Sequence, residues 1–199
     1  MSQHTSERET TTLMGAVTAP ATHDLMNVLA IINEHAGLLS DLLRFAKGEP
    51  LPPEQLEKGI KAIEAQVSRG RTLLTQLNSF AHATDLSPAP LDAGNAVAEV
   101  VHLTQRKFHA QLASPAPSHV ASCDPIVFRL LIYRLLEAAC DPSLAEGPCV
   151  TMTLQDPTLL VTIQPQSPAE LAEPLAPLAQ SLGATLTCSG DTLTLSLPR

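Results

Sequence analysis

Tryptophan is absent from this chain, tyrosine occurs once and phenylalanine four times, so aromatics make up 3% of a sequence that is 44% apolar. A core with so few rings must be filled by Leu, Val and Ala, side chains that suit helices. Basic runs are lacking too: 12 Lys and Arg face 20 Asp and Glu, and the net charge of −8 argues against a nucleic-acid surface. No apolar stretch approaches the roughly 20 residues of a membrane span, and the polar first nine residues do not make a signal peptide. The sequence therefore predicts a cytoplasmic protein that engages neither membrane nor nucleic acid. Cys123, Cys140, Cys149 and Cys188 are scattered, without the close pairs of a zinc site. Disulfides are not expected in that compartment, and ordinary buried or half-buried thiols are. The 199 residues suffice for one or two domains with a sizeable core.

What is present is helical periodicity. Leu25, Leu29, Ile32, Ala36, Leu39 and Leu43 recur alternately four and three apart, the seam of a bundle helix. If Leu25 is a d position, His23 falls at b and Asn27 at f, with Asp24 beside them, on a face turned away from partner helices. Pro20 fits the first turn of this helix, which is expected to run to about Lys47, where Gly48-Glu49-Pro50 stops it. Residues 1–12 read as polar and frayed. A second helix over residues 53–82 carries the stripe Leu56, Ile60, Ile63, Val67, Gly70, Leu74, Leu77 and Ala81. Each helix is about 45 Å long at the usual rise, and the short connection makes an antiparallel hairpin. Val28, Ile31, Leu38, Leu42 and Phe45 add a second apolar row, wider than one partner helix covers. A twofold dimer closing a four-helix bundle is one remedy, and a monomeric bundle closed by the C-terminal half is the other.

After Pro88 and Pro90 the pattern changes. Residues 93–107 have helical spacing, and Asp124-Pro125 reads as a cap and first position of a helix running to about Cys140. Strands are expected at 150–154 and 159–163, a proline-flanked helix at 171–182, and a hairpin of 184–188 with 192–197 turning at Ser189-Gly190-Asp191. The fold class is α+β, with a helical hairpin followed by an α/β sandwich. The expected division is a flexible segment 1–17, a hairpin domain 18–84, a linker 85–92 and an α/β domain 93–199.

A neutral imidazole on an exposed face is a competent nucleophile near neutral pH. A carboxylate such as Asp24 can accept from one ring nitrogen and so fix the tautomer, and an amide at Asn27 can orient a water or an incoming group without taking a proton. The bland alternative for His23 is a solvated surface histidine.

His23-Asp24-Leu25-Met26-Asn27-Val28-Leu29 resembles the H-box of two-component sensor histidine kinases: phosphoacceptor His, adjacent acid, amide four positions on. Val28 stands where many H-boxes carry a proline. The segment from Asp124 to Ala139 is similar to the same kinases' helix ending Asn-Leu-Leu-x-Asn-Ala, with Arg134 and Ala138 in place of the asparagines. An alanine methyl offers no oxygen to a magnesium ion. Gln164-Pro165-Gln166-Ser167-Pro168 follows where Asp-x-Gly-x-Gly should stand, and a glycine-rich lid is missing. The combination resembles histidine phosphotransferases of the ChpT type, with a dimerisation and phosphotransfer hairpin and an ATPase-like α/β domain that no longer binds ATP. That resemblance implies a homodimer whose His23 relays a phosphoryl group between receiver-domain aspartates of a hybrid kinase and of response regulators, without ATP-dependent autophosphorylation. Asp24 and Asn27 would assist. Met26, Ala30, Asn33 and Gly37 would admit the receiver, and the chain itself would need no cofactor, the magnesium ion being the receiver's. The rivals are a catalytically inactive receiver-binding scaffold and a response-regulator phosphatase in which Asn27 positions water.

Overall fold

The computed structural model describes residues 3–46, 50–83, 89–141, 143, 146–164 and 174–198. The chain forms two compact units, Ala21–Asn78 on one side and Met1–Pro20 with Ser79–Arg199 on the other. The first is a pair of helices, drawn from α1 (Gln3–Phe45) and α2 (Pro53–His82). Pro53 opens α2 where a missing N–H costs nothing, with Glu54 in the positive first turn. Gly59 faces the Leu39 side chain and Gly70 faces Val28, whose exposure is only 3%. Small residues on α2 thus let α1 approach at two levels. Those two levels also fix the antiparallel register.

α1 begins far earlier than the periodicity predicts. The polar N-terminal stretch is helical from Gln3 instead of frayed, and Pro20 lies inside the helix, not in its first turn. Pro20 has no N–H for the Ala16 carbonyl. Continuity is supported on the N-terminal side by Leu13 and Val17, four residues apart and both buried, and Glu9 reaches Arg134 at 3.8 Å within the second unit. The expected boundary at residue 17 is accordingly crossed by one unbroken helix.

In the second unit the linker expected over 85–92 is in part a strand: β1 (Ala89–Asp92) pairs antiparallel with β3 (Val120–Cys123). Residues 84–88 lie outside the described residues. Asp92 then caps α3 (Ala93–Phe108), its Oδ1 accepting from Asn95 N at 3.1 Å. The main sheet has the order β2-β4-β5-β7-β6, from β2 (Gln111–Leu112), β4 (Cys149–Gln155), β5 (Thr158–Gln164), β6 (Thr185–Ser189) and β7 (Thr192–Pro198). Only the β2–β4 pair is parallel. Val150 lies opposite Ile163, Met152 opposite Val161, and Leu195 opposite Val161 on the other side. All of these are buried, whereas Thr151, Thr162, Thr194 and Ser196 alternate with them on the wetter face. One apolar face over five strands calls for one helical layer. α4 (Pro125–Ala139) supplies Phe128, Leu131, Leu135 and Leu136, none measurably exposed. Asp124 caps it, accepting from Ile126 and Val127 N at 3.0 and 3.1 Å, with Pro125 at the first position as the sequence predicts.

The expected helix over 171–182 is shorter, α5 (Ala176–Ser181), and residues 171–173 of that prediction lie outside the described residues. Gly183 and Gly190, both at positive φ, end α5 and turn the β6–β7 hairpin. The cysteines are free, and Cys188 is exposed, contrary to expectation, because β6 is an edge strand with its side chains largely in solvent. Among the described residues no helix is long and apolar enough to cross a membrane.

α3 and α4 are tied by a buried ion pair. Arg129 Nε and Nη2 both lie 2.7 Å from Glu99 Oε2, and Nη1 donates to the Pro125 carbonyl at 3.1 Å. Neither charge has water to return to. Glu99→Ala leaves the guanidinium buried and unpaired, and is expected to cost about 3–5 kcal/mol in urea unfolding followed by circular dichroism. The double replacement Glu99→Leu with Arg129→Met restores most of that loss if desolvation is the cause.

Candidate phosphoacceptor site

His23 lies in the middle of α1, one turn before Asn27, and both are exposed. Their side chains meet: Asn27 Nδ2 is 3.1 Å from His23 Nδ1. The helix dictates this contact, since residues four apart stand one above the other. Asp24, half-buried, follows directly on the chain. The amide thus contacts the ring directly at Nδ1, a role the sequence had offered only for the Asp24 carboxylate. An amide can donate from Nδ2 or, turned over, accept at Oδ1. In the second arrangement Nδ1 keeps its proton and the lone pair lies on Nε2.

Met26, Ala30, Asn33 and Gly37 all lie exposed on α1, Met26 at 62%. A Cβ added at Gly37 would meet nothing within 4 Å, so the helix surface is low and open there. The opposite side of the pair is different in kind. Leu25, Val28, Leu29 and Ile32 of α1 with Val67, Gly70, Arg71, Leu74 and Thr75 of α2 line an apolar groove of about 540 Å³. Leu29 and Leu74 are 54% and 56% exposed within it. The predicted seam is thus only partly covered within one chain: Val28, expected in the second row, is the residue buried against α2, whereas Leu29 and Leu43 of the seam and Ile60, Val67 and Leu74 of the α2 stripe remain open. His23 and Asn27 do not line the groove, each being two residues, or about 200° of helix, from Leu25, which does.

In the second unit Arg134 and Ala138 of α4 line a smaller hollow of about 270 Å³ with Glu137 and Leu175. Charges crowd its rim. Arg134 donates to Glu137 at 2.8 Å, Lys107 of α3 meets Glu137 at 3.1 Å and also donates to the Tyr133 hydroxyl. The Lys107 ammonium sits 4.8 Å from the ring centres of both Phe108 and Tyr133, which pack edge to face. Sequence reading missed this cluster, although Tyr133 and Glu137 stand one helical turn apart. Partial burial alone would raise the Glu137 pKa, but the hydrogen bonds from Arg134 and Lys107 outweigh it and hold the carboxyl below its ordinary range. Burial likewise pulls Lys107 down, and the bonds to Tyr133 and Glu137 overcome that and raise it. Burial, aided by the Asp124 and Asp141 charges respectively, pushes the thiols of Cys123 and Cys140 up, away from nucleophilic thiolate.

A depressed folded-state pKa means that the contribution of Glu137 is complete above the usual carboxylate range and disappears as pH falls through the lower folded value. Thermal unfolding of the wild type is expected to lose this increment between about pH 5 and 3, and Glu137→Gln is expected to flatten that limb. At neutral pH the variant should differ by under about 1 kcal/mol, because the ion pairs are some 40% exposed and screened. An unchanged acid limb would remove Glu137 from the account.

No protein-family model matches the sequence, and no curated protein does. Solved structures similar to the chain include histidine kinases and their domains. Histidine kinase AdeS of Acinetobacter baumannii is 16% identical at a TM-score of 0.43, with 88% of this chain and 97% of that one covered. The ATP-binding domain of PrrB from Mycobacterium tuberculosis is 17% identical at 0.44, over 56% of this chain and 96% of that one. The cytoplasmic segment of histidine kinase QseC is 18% identical at 0.42, over 67% and 94%.

Proposed function

We propose that this protein is a histidine phosphotransferase, relaying a phosphoryl group between receiver-domain aspartates through His23. The observation that carries the reading is an exposed imidazole in mid-helix whose Nδ1 is engaged by the Asn27 amide. In the first step the Nε2 lone pair attacks the phosphorus of an aspartyl phosphate in line. The N–P bond forms as the acyl-phosphate O–P bond breaks, and the electron pair leaves with the carboxylate. In the second step a free receiver carboxylate attacks the same phosphorus and imidazole is the leaving group. Little covalent work falls to the protein, because such transfers depend on alignment and charge neutralisation. Met26, Ala30, Asn33 and Gly37 form the low surface on which a receiver helix would rest, and Asp24 and Asn27 hold the ring. The magnesium ion of the reaction is the receiver's. α4 bears Arg134 and Ala138 in place of paired amides, and ATP has no part in the proposed cycle.

The groove of Leu25, Leu29, Ile32, Val67 and Leu74 is assigned to a second copy of the chain, giving a twofold four-helix bundle with His23 outside. Light scattering of the intact protein is expected to give twice the mass of one chain, and Leu29→Glu with Leu74→Glu to give one. A wild-type mass of one chain overturns the dimer.

Incubation with a phosphorylated receiver, magnesium and no ATP is expected to label the wild type and not His23→Ala. Receivers that bind both proteins and label neither would establish the scaffold instead. Faster loss of receiver phosphate without any histidine adduct would establish the phosphatase.

A further inference from the structure

The stretches of the hairpin around His23 are poor in carboxylates. Residues 65–84 contain no Asp or Glu but carry Arg69 and Arg71, and within residues 10–33 the only carboxylate is Asp24. This occurs in a protein of net charge −8. Both arginines are exposed, and among the described residues neither forms an ion pair.

Register separates the two. Gly59 meets Leu39 and Gly70 meets Val28, so Arg71 is level with Asn27 and Arg69 with Leu29. Arg71 lines the apolar groove, on the side away from His23. Arg69 is two residues from both Val67 and Arg71, about 200° around α2 from the groove. It therefore flanks the same side of the hairpin as His23 and Asn27, roughly 9 Å along the axis from the histidine. A guanidinium on a flexible stem, without a carboxylate to neutralise it, is suited to a phosphate or carboxylate brought from outside.

We propose that Arg69 is a positioning residue that draws and holds an acidic, phosphate-bearing protein partner against His23. The inference rests on the relay reading and extends the partner's footprint from α1 to α2. The residue acts on encounter and orientation, and the bond changes at His23 are unaltered. Its contribution falls with salt, as for any exposed charge.

Two phosphoryl donors separate this from the relay reading itself. Phosphoramidate is a small donor that needs no docking: its N–P bond breaks, ammonia leaves, and Nε2 takes the phosphoryl group. Receiver domains charged with acetyl phosphate do need docking. Arg69→Ala is expected to be labelled by phosphoramidate at the wild-type rate, yet to accept from a charged receiver at least tenfold more slowly at about 50 mM salt. That gap should narrow several-fold as salt rises, Arg69→Lys should recover most of the rate, and Arg44→Ala, an exposed arginine roughly 30 Å along α1 from His23, should stay within twofold of wild type. Receiver transfer to Arg69→Ala within twofold of wild type at low salt overturns the role of Arg69 while leaving the relay intact. An equal loss with both donors also overturns it, since the defect would then lie in His23. No label on His23 from either donor overturns the relay, and this inference with it.

Discussion

Two helices lying side by side can cover only the residues that face each other, and this limit governs the hairpin. Val28 and Gly70 use up that line of contact, and what remains is two flanks of opposite character. One flank gathers Leu25, Leu29, Ile32, Val67 and Leu74 into a groove that water wets at a cost of about 25 cal/mol for each Å² of apolar surface. The other carries His23, Asn27 and Arg69. Because side chains two residues apart point to opposite sides of a helix, placing Leu25 in the groove sends His23 and Asn27 out of it. The site is exposed as a consequence of the packing, and a second copy seated in the groove would leave it so.

The second unit solves the opposite problem. Five strands with one apolar face need a continuous lid, and α4 is almost wholly apolar along the side that meets them. That leaves its outer turns, Tyr133, Arg134 and Glu137, to find polar partners, which they do in Lys107 of α3 and Glu9 of α1. The opposed charges there largely neutralise one another. Closer to the core, Arg129 and Glu99 are paired without water, and they stabilise only as a pair, since either alone is a buried uncompensated charge.

Much of this was legible in the sequence. The extent of α2 and the Asp124-Pro125 start of α4 follow from local rules that packing did not override, and the β6–β7 hairpin followed from its Ser-Gly-Asp turn. The misses have physical causes. β1 and β2 are short, and β1 contains Pro90, so alternation had too few residues to register. Pro20 read as a start because an interior proline costs a hydrogen bond, and the burial of Leu13 and Val17 that accompanies the longer helix is tertiary. At the site, the exposure of His23 and its spacing to Asn27 came from the heptad. The identity of the group at Nδ1 did not, because an adjacent carboxylate and an amide one turn on are equally near in sequence terms.

That choice of neighbour bears on the chemistry proposed. A carboxylate on the imidazole would strengthen the nucleophile, but it would also set a full negative charge against an incoming phosphoryl group that already carries about two. The Asn27 amide adds a hold on the ring with no charge of its own, and orientation is a large part of what such a transfer needs. The same logic extends along the hairpin, where carboxylates are missing for a long stretch of α2 and only Asp24 occurs in the corresponding part of α1. Repulsion is thereby reduced around His23, which an amide contacts on an open helical face.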